Sequence, residues 1–501
     1  MRKNIRFLLT GLSITFCLLS NNAIAQKEST IRDSIYSDIL KEKRIISIVL
    51  PEGYKKDAKY DVLYVLDGEG NTELTKQIEE FVQRSDFMPQ IILVGVHNTN
   101  RNRDLTPTNT SAESQYGGAN NFLSFLEKEL IPYITKKYEV KGSNGLFGHS
   151  FGGLFAMYAF LTRPQVFETY LAADPSFWWD KGYMYTLANE KFDPAIHTKK
   201  ALWITGRGGK ESEEMGIPSM DSILKSKAPA GLQWKVVDYP GETHNSVRFK
   251  SVYDGLKFFY AGYNKTIQFH PQNGMVLKNK PAKIWLFTPP DNSIRYTTDG
   301  TEPTLASPPV QPENILPGAG LLRIKSFSAR GSFDREIKAQ FKATETWKAI
   351  AKPKNAKPGG IRYSYYEGEW DSLPDFKKMK PVLSGIMDKD FRFEKLPRKT
   401  NFACVFDGYI EIKEEGYYVF GLDSDDGSKL YLANQLLINA DGLHGSGNIQ
   451  SYIVPLDKGF YPIRVEFFQR EGGMNLNLMY VVPSTNAPRP TQIPPELLYS
   501  N

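Results

Sequence analysis

Cysteine is nearly missing from this sequence. The 501 residues hold two, Cys17 and Cys404, too few for a disulfide framework, a cysteine-ligated zinc site or a catalytic cysteine pair. Histidine is also scarce, at six, so any general base comes from a short list. Charge of one sign is not in large excess: 62 Lys and Arg stand against 56 Asp and Glu, a formal +6. No polybasic run occurs beyond the N-terminus, which excludes a nucleic-acid or membrane-surface footprint. No apolar run outside the first 25 residues is long enough to cross a bilayer. Gly (40) and Pro (31) are spread without a short repeat, and 41% of residues are hydrophobic, which excludes a disordered or collagen-like chain. The length predicts two to four domains, because single cores rarely grow past roughly 250–300 residues.

Residues 1–25 have the pattern of a secretory signal peptide. Arg2, Lys3 and Arg6 precede an apolar stretch from Phe7 to about Ser20, and Ala23-Ile24-Ala25 supplies small residues for cleavage. Phe16, before Cys17, is too bulky for a typical lipoprotein site, so soluble export is expected: periplasmic, cell-surface or secreted. Cleavage would leave Cys404 as the one cysteine and a net charge of +3. Such a chain has to rely on large cores.

Three segments follow. Residues 27–263 alternate strand and helix patterns. Arg44–Leu50, Val62–Leu66 and Ile91–Val96 are strand candidates, and the last two are apolar on both faces, as central parallel strands are. Asn120 to Lys137 has a helical apolar face that Pro132 must kink or interrupt. Residues 264–345 lose helical periodicity and read as a small β-sandwich, with an Asp299-Gly300 hairpin signal. Residues 346–360 read as a Lys-, Pro- and Gly-rich linker. Residues 361–501 are β-rich and aromatic, as in a sandwich or barrel. The expected fold is multidomain: an α/β segment followed by two all-β modules.

The strongest chemical signal is Gly148-His149-Ser150-Phe151-Gly152-Gly153. A strand candidate precedes it and an apolar helix candidate, Leu154 to Leu161, follows. This is the strand–turn–helix setting of G-x-S-x-G, in which small neighbours let a strained turn present the serine hydroxyl. Ser150 is the expected nucleophile, and the Phe151 N–H, at a helix N-terminus, is an oxyanion donor. In this arrangement the base follows the serine near the end of the domain, with an acid between them. His244 fits that order. His197 comes too early, and His149 is expected to point away from the reaction. For the acid, the loop after Ala201–Gly206 favours Glu211, with Glu213, Glu214 and Asp221 as rivals. The second oxyanion donor is expected from the Gly68 or Glu69 backbone, after the strand that ends at Leu66.

These residues resemble a known family. Residues of about 40–263 are similar to the α/β-hydrolase esterases that include esterase D, enterochelin esterases, and acetyl-xylan and feruloyl esterases. The matching stretches are Val49–Tyr54, Leu63–Gly68, Arg103-Asp104-Leu105-Thr106-Pro107, the elbow, and Asp174-Pro175-Ser176-Phe177-Trp178-Trp179. The resemblance implies serine esterase chemistry on Ser150 and His244 and leaves the acid open. Residues 264–345 resemble the β-sandwich appended to chitobiases, through Ile294–Thr304. Residues 361–501 resemble PA14, through Asp423–Leu432, Asn439–His444 and Gly459–Val465. PA14 modules often bind carbohydrate. Some lectin members hold calcium on adjacent aspartates, which makes Asp425 and Asp426 a candidate pair, although acids beside Gly427 also suit a tight turn.

The expected function is therefore an exported serine esterase acting on acetyl or feruloyl groups of a polysaccharide or oligosaccharide, with no metal or organic cofactor needed. Arg103, Trp178 and Trp179 are the expected substrate contacts, and one Trp is expected in the core and one against substrate. An alternative is a siderophore esterase of the enterobactin-trilactone type, for which Arg101, Arg103 and Arg207 would form a basic pocket. A further alternative is a glycan-binding protein with an inactive hydrolase module.

Overall fold

A computed structural model describes residues 30–500, apart from 111–114, 141, 193–196, 198, 265, 289–292, 330, 388–392, 394–395 and 485–489. The expected signal peptide and Cys17 lie outside the described residues. The chain forms two compact units, one α/β and one β-rich.

The α/β unit is built on an eight-stranded sheet: β1 (Thr30–Ser37), β2 (Glu42–Val49), β3 (Asp61–Leu66), β4 (Ile91–Val96), β5 (Asn144–His149), β6 (Thr169–Ala173), β7 (Ala201–Gly206) and β8 (Gln233–Asp238). Their order is β1-β2-β4-β3-β5-β6-β7-β8. The β1–β2 and β2–β4 pairs are antiparallel and every pair from β4 onward is parallel. Every residue of β3, β4, β6 and β7 is buried, as continuous apolar runs covered on both faces require. The helix Phe151–Thr162 after β5 is buried over Gly152–Leu161, so it packs as a core helix. Pro132 leaves the expected mark: Ala119–Phe125 is α-helical, Leu126–Leu130 widens to a π-turn, and Ile131–Tyr138 resumes with Pro132 in its first turn.

In the β-rich unit the two expected modules share a sheet. Asn273–Leu277 pairs in parallel with Arg335–Thr344 and also with Gln450–Leu456. One core holds Ile284, Leu322 and Phe341 together with Val419, Ile453 and Val481. The 346–360 stretch is not a free tether: Trp347 N–H donates to Pro455 and Ile350 N–H to Phe460, each at 2.9 Å, and Lys357–Pro358 pairs with the C-terminal strand. Asp299-Gly300 does not close a hairpin. The strand Ile294–Thr297 pairs with Gly320–Ser326, and the Asp299 carboxylate instead accepts the Thr301 N–H at 3.0 Å, a local turn of the kind Asp favours. Cys404 is fully buried in the aromatic core of this unit, where burial raises its thiol pKa far above the ordinary value.

Candidate active site

Three neighbouring parallel strands end in the same way. Asp67, Ser150 and Asp174 directly follow β3, β5 and β6, and their φ angles are 53°, 59° and 42°. Each is a non-glycine residue in left-handed backbone, a costly state that clusters at functional sites. The elbow is tied to its neighbour: Ser150 N–H donates to Ala173 O at 3.0 Å, and Ser176 N–H returns to Ser150 O at 3.2 Å. A Cβ on Gly148 would lie 2.0 Å from the Gly152 carbonyl oxygen, so position 148 has to be glycine. A Cβ on Gly152 would meet nothing closer than 3.4 Å, so the requirement for a small residue falls on one side of the serine.

His244 lies at the same end of the sheet. Its Nδ1 is 2.7 Å from Asp174 Oδ2, and the Asp174 side chain is fully buried. A carboxylate accepts, so Nδ1–H donates and, in the neutral ring, the Nε2 lone pair is left for chemistry. Asp174 Oδ2 also takes Arg207 Nε at 2.6 Å, while Oδ1 is buried with no hydrogen-bond partner among the described residues. The Ser150 hydroxyl contacts Ser176 Oγ at 3.3 Å. His149 does not point away as expected: its ring centroid is 4.4 Å from that of His244.

The carboxylate that meets His244 is therefore Asp174 and not the expected Glu211. Glu211 is exposed on the helix Gly209–Met215. That helix starts three residues after the end of β7 and turns Ser212 inward, where Ser212 Oγ donates to Asp238 Oδ1 at 2.7 Å. Its glutamates face solvent, with Glu213 exposed and Glu214 paired with Lys210 at 3.6 Å. Asp221 pairs with Lys225 at 2.6 Å. An acid right after a buried strand that neighbours β5 was the available signal, and Asp174 carries it.

The parallel register sets Val65 beside Phe147, which brings the turn after β3 level with the elbow. Gly68 and Glu69 open the helix Gly68–Arg84, and Phe151 opens the next helix past the serine. The first N–H groups of a helix lack intrahelical partners. The Glu69 carboxylate is occupied by Asn98, at 2.8 Å to Nδ2.

The expected basic pocket is spent on carboxylates. Arg101 holds Asp67 at 2.6 and 3.0 Å. Arg207 holds Asp174. Arg103, expected against substrate, instead bonds Glu42 and Asp104, each at 2.7 Å, and Asp104 also carries the fully buried Arg44 at 2.6 Å. The tryptophans divide: Trp179 is 5% exposed and donates to Thr108 Oγ1 at 3.0 Å, whereas Trp178 is 49% exposed. Trp178 sits 6.0 Å from the Phe151 ring, over which Arg101 also lies at 5.5 Å.

In the β-rich unit, Asp426 is buried and its Oδ2 accepts the Arg470 N–H at 2.8 Å. Among the described residues no group of three or more His, Cys, Asp or Glu side chains converges as metal ligands. Asp425 and Asp426 by themselves fall short of the six to eight oxygens that calcium takes. A separate cleft of about 420 Å³ is lined by Arg362, Asp407, Tyr409, Tyr431, Asn434 and Arg464. Arg464 bonds Asp407 at 3.0 Å and Glu466 at 2.9 Å.

The strand order, the strained serine and the Asp174–His244 contact define an α/β-hydrolase with a serine elbow. Residues 37–253 match the family described as Putative esterase, and residues 360–492 match the PA14 domain. The chain is 30% identical over 241 residues to the ferri-bacillibactin esterase BesA of Bacillus subtilis (strain 168), a match over 42% of this chain and 83% of that one. It is 30% identical over 213 residues to the apo-salmochelin esterase of Escherichia coli O6:H1, over 37% of this chain and 64% of that one. A solved IroE-like serine hydrolase from Shewanella oneidensis is 36% identical, with a TM-score of 0.43, over 46% of this chain and 79% of that one. The chain belongs to the Putative esterase family, and its β-rich part contains a PA14 domain.

Proposed function

We propose that this chain is an exported serine esterase that opens ester bonds in a siderophore, with Ser150 as nucleophile, His244 as general base and Asp174 as the acid that orients the base. The observation that carries the chemistry is the 2.7 Å contact between His244 Nδ1 and buried Asp174, one strand from the elbow. Ser150 Oγ attacks the ester carbonyl and its proton passes to His244 Nε2. The Phe151 N–H and an N–H of Gly68 or Glu69 hold the oxyanion. The intermediate collapses, the leaving alkoxide takes the proton from His244, and water then hydrolyses the acyl-enzyme with His244 again as base. Asp174 Oδ2 takes Arg207 Nε as well as His244 Nδ1, and in this scheme Asp174 orients and stabilises the imidazolium without taking its proton. No metal or organic cofactor enters these steps.

The siderophore reading is supported by the names of four relatives, which are esterases of bacillibactin, triacetylfusarinine C, enterobactin and salmochelin. The exposed Trp178 and the Phe151 ring beside it suit a planar aromatic acyl group. Because Arg101, Arg103 and Arg207 are paired, recognition rests on these rings and not on a basic pocket. A second reading, acetyl or feruloyl removal from a glycan, is favoured by the PA14 domain and its polar, tyrosine-bearing cleft, which suits a saccharide. Hydrolysis of a catecholate trilactone siderophore and of acetylated or feruloylated xylan, followed in parallel, separates them. The siderophore reading predicts a kcat/KM at least about tenfold higher on the trilactone, since tenfold is about 1.4 kcal/mol of transition-state discrimination. The reverse order would move the assignment to glycans. On p-nitrophenyl acetate, Ser150→Ala is expected to lose at least about 10³-fold in kcat. Equal rates would leave a glycan-binding protein with an inactive hydrolase module.

A further inference from the structure

The residue before the nucleophile does more than continue the strand. His149 is 6% exposed, and its Nε2 lies 2.6 Å from the carbonyl oxygen of His244. A carbonyl can only accept, so His149 carries its proton on Nε2 and donates. The next carbonyl along the same loop is held as well. Arg248 Nε donates to Asn245 O at 2.8 Å, and its Nη1 donates to Asn71 Oδ1 at 2.8 Å. Asn71 is 1% exposed and is itself anchored, through Nδ2, to Leu66 O at 2.9 Å. Two successive carbonyls of the base-bearing loop are thereby tied to the ends of β5 and β3, the strands that present the nucleophile and the expected oxyanion turn.

We propose that His149 and Arg248 are positioning residues for the general base, fixing the His244 imidazole over the elbow by donating to the carbonyls of His244 and Asn245. The inference rests on the assignment of His244 as base. The physical need is clear. The His244 side chain is 40% exposed, and its contact with Asp174 is a single hydrogen bond. One such bond fixes a point and leaves the ring free to swing about it. A misplacement of about 1 Å at a reacting group can cost about 10²-fold in rate. The two carbonyl ties, with the His149 ring packed on the His244 ring, remove that freedom. Burial, then the neighbouring His244, push the His149 pKa down to about 4. The ring stays neutral and does not oppose the imidazolium that forms on His244 during turnover.

The test compares wild type, His149→Phe, His149→Gln, Arg248→Met and His244→Ala on p-nitrophenyl acetate. Thermal unfolding and the rate of Ser150 labelling by a fluorophosphonate are measured alongside. His149→Phe keeps a ring and loses the donor. Its kcat is expected to fall about 10- to 100-fold with KM within about threefold, and labelling should slow in step. His149→Gln restores an N–H donor and should recover most of that loss. Arg248→Met should cost about tenfold in kcat. The proposal is overturned if His149→Phe and Arg248→Met both keep kcat within threefold of wild type while His244→Ala is inactive, or if His149→Gln is as slow as His149→Phe. If His149→Phe does not fold, Arg248→Met decides, and an unchanged kcat overturns the proposal. If His244→Ala retains activity, the base assignment itself fails, a result distinct from both.

Discussion

Left-handed backbone at strand ends serves different ends in the two units. In the β-rich unit, Ala433 and Asn434 have φ of 48° and 61° and close a two-residue hairpin between Ser428–Leu432 and Gln435–Ala440, where the turn geometry calls for positive φ. In the α/β unit, Asp67, Ser150 and Asp174 also have positive φ, with no hairpin to close. Strain of this kind costs on the order of 1–3 kcal/mol per residue. It persists where hydrogen bonds from neighbouring strand ends over-determine it, as they do at Ser150. The outcome is that three adjacent strand ends carry a carboxylate, a hydroxyl and a second carboxylate at positive φ.

Buried charge gives the contrast a scale. Arg44 and Asp104 are 0% and 1% exposed and 2.6 Å apart, whereas Arg464 and Asp407 in the β-rich cleft are 35% and 49% exposed at 3.0 Å. Removing Asp104 leaves the buried Arg44 with Glu42 at 2.8 Å and the His97 carbonyl at 2.9 Å, so Asp104→Ala should destabilise the α/β unit by about 3 kcal/mol. Asp407→Ala should change stability by about 1 kcal/mol or less. Denaturant titration of both variants checks this, and equal losses would erase the distinction between the units.

The two units should respond more alike to acid. His149 in one and His270 in the other are buried, and burial pushes each pKa down to about 4. The unfolded chain takes up protons on these histidines near pH 6.5 and the folded chain only near pH 4. Their stabilising contribution is therefore complete above about 6.5 and is lost as pH falls toward 4, by up to about 3 kcal/mol for each histidine. Unfolding free energies measured from pH 7 to 4 should show this decline, and His149→Gln should flatten it for the α/β unit and leave that of the β-rich unit in place. A profile that does not change in the variant would contradict the assignment.

How much was legible in the sequence follows from how local each signal is. The elbow is contiguous, so Gly148-His149-Ser150-Phe151-Gly152 carries its own strand, turn and helix. His244 follows from chain order. Asp174 is hard to single out in the sequence because it directly follows β6, one strand before the loop on which an acid is expected, and because it belongs to the family-like stretch Asp174 to Trp179. Arg101 and Arg207 read as free because their partners lie 34 and 33 positions away, and Arg103 bonds Glu42, 61 positions away, as well as the adjacent Asp104. The choice between Trp178 and Trp179 depends on which side of a helix start faces the core, which adjacent identical residues do not reveal. The shared sheet of the β-rich unit rests on the edge pairing of Asn273 and Gly274 with Tyr452 and Ile453, a contact of high sequence separation with no local mark.

The central claim is that Asp174, and not Glu211, orients the base that activates Ser150. Steady-state kinetics of Asp174→Asn beside Glu211→Gln, on p-nitrophenyl acetate, tests it most directly. The amide would favour the wrong His244 tautomer, so Asp174→Asn is expected to lose about 10³- to 10⁴-fold in kcat, while Glu211→Gln stays within about twofold of wild type. Activity that survives in Asp174→Asn and collapses in Glu211→Gln would contradict the account.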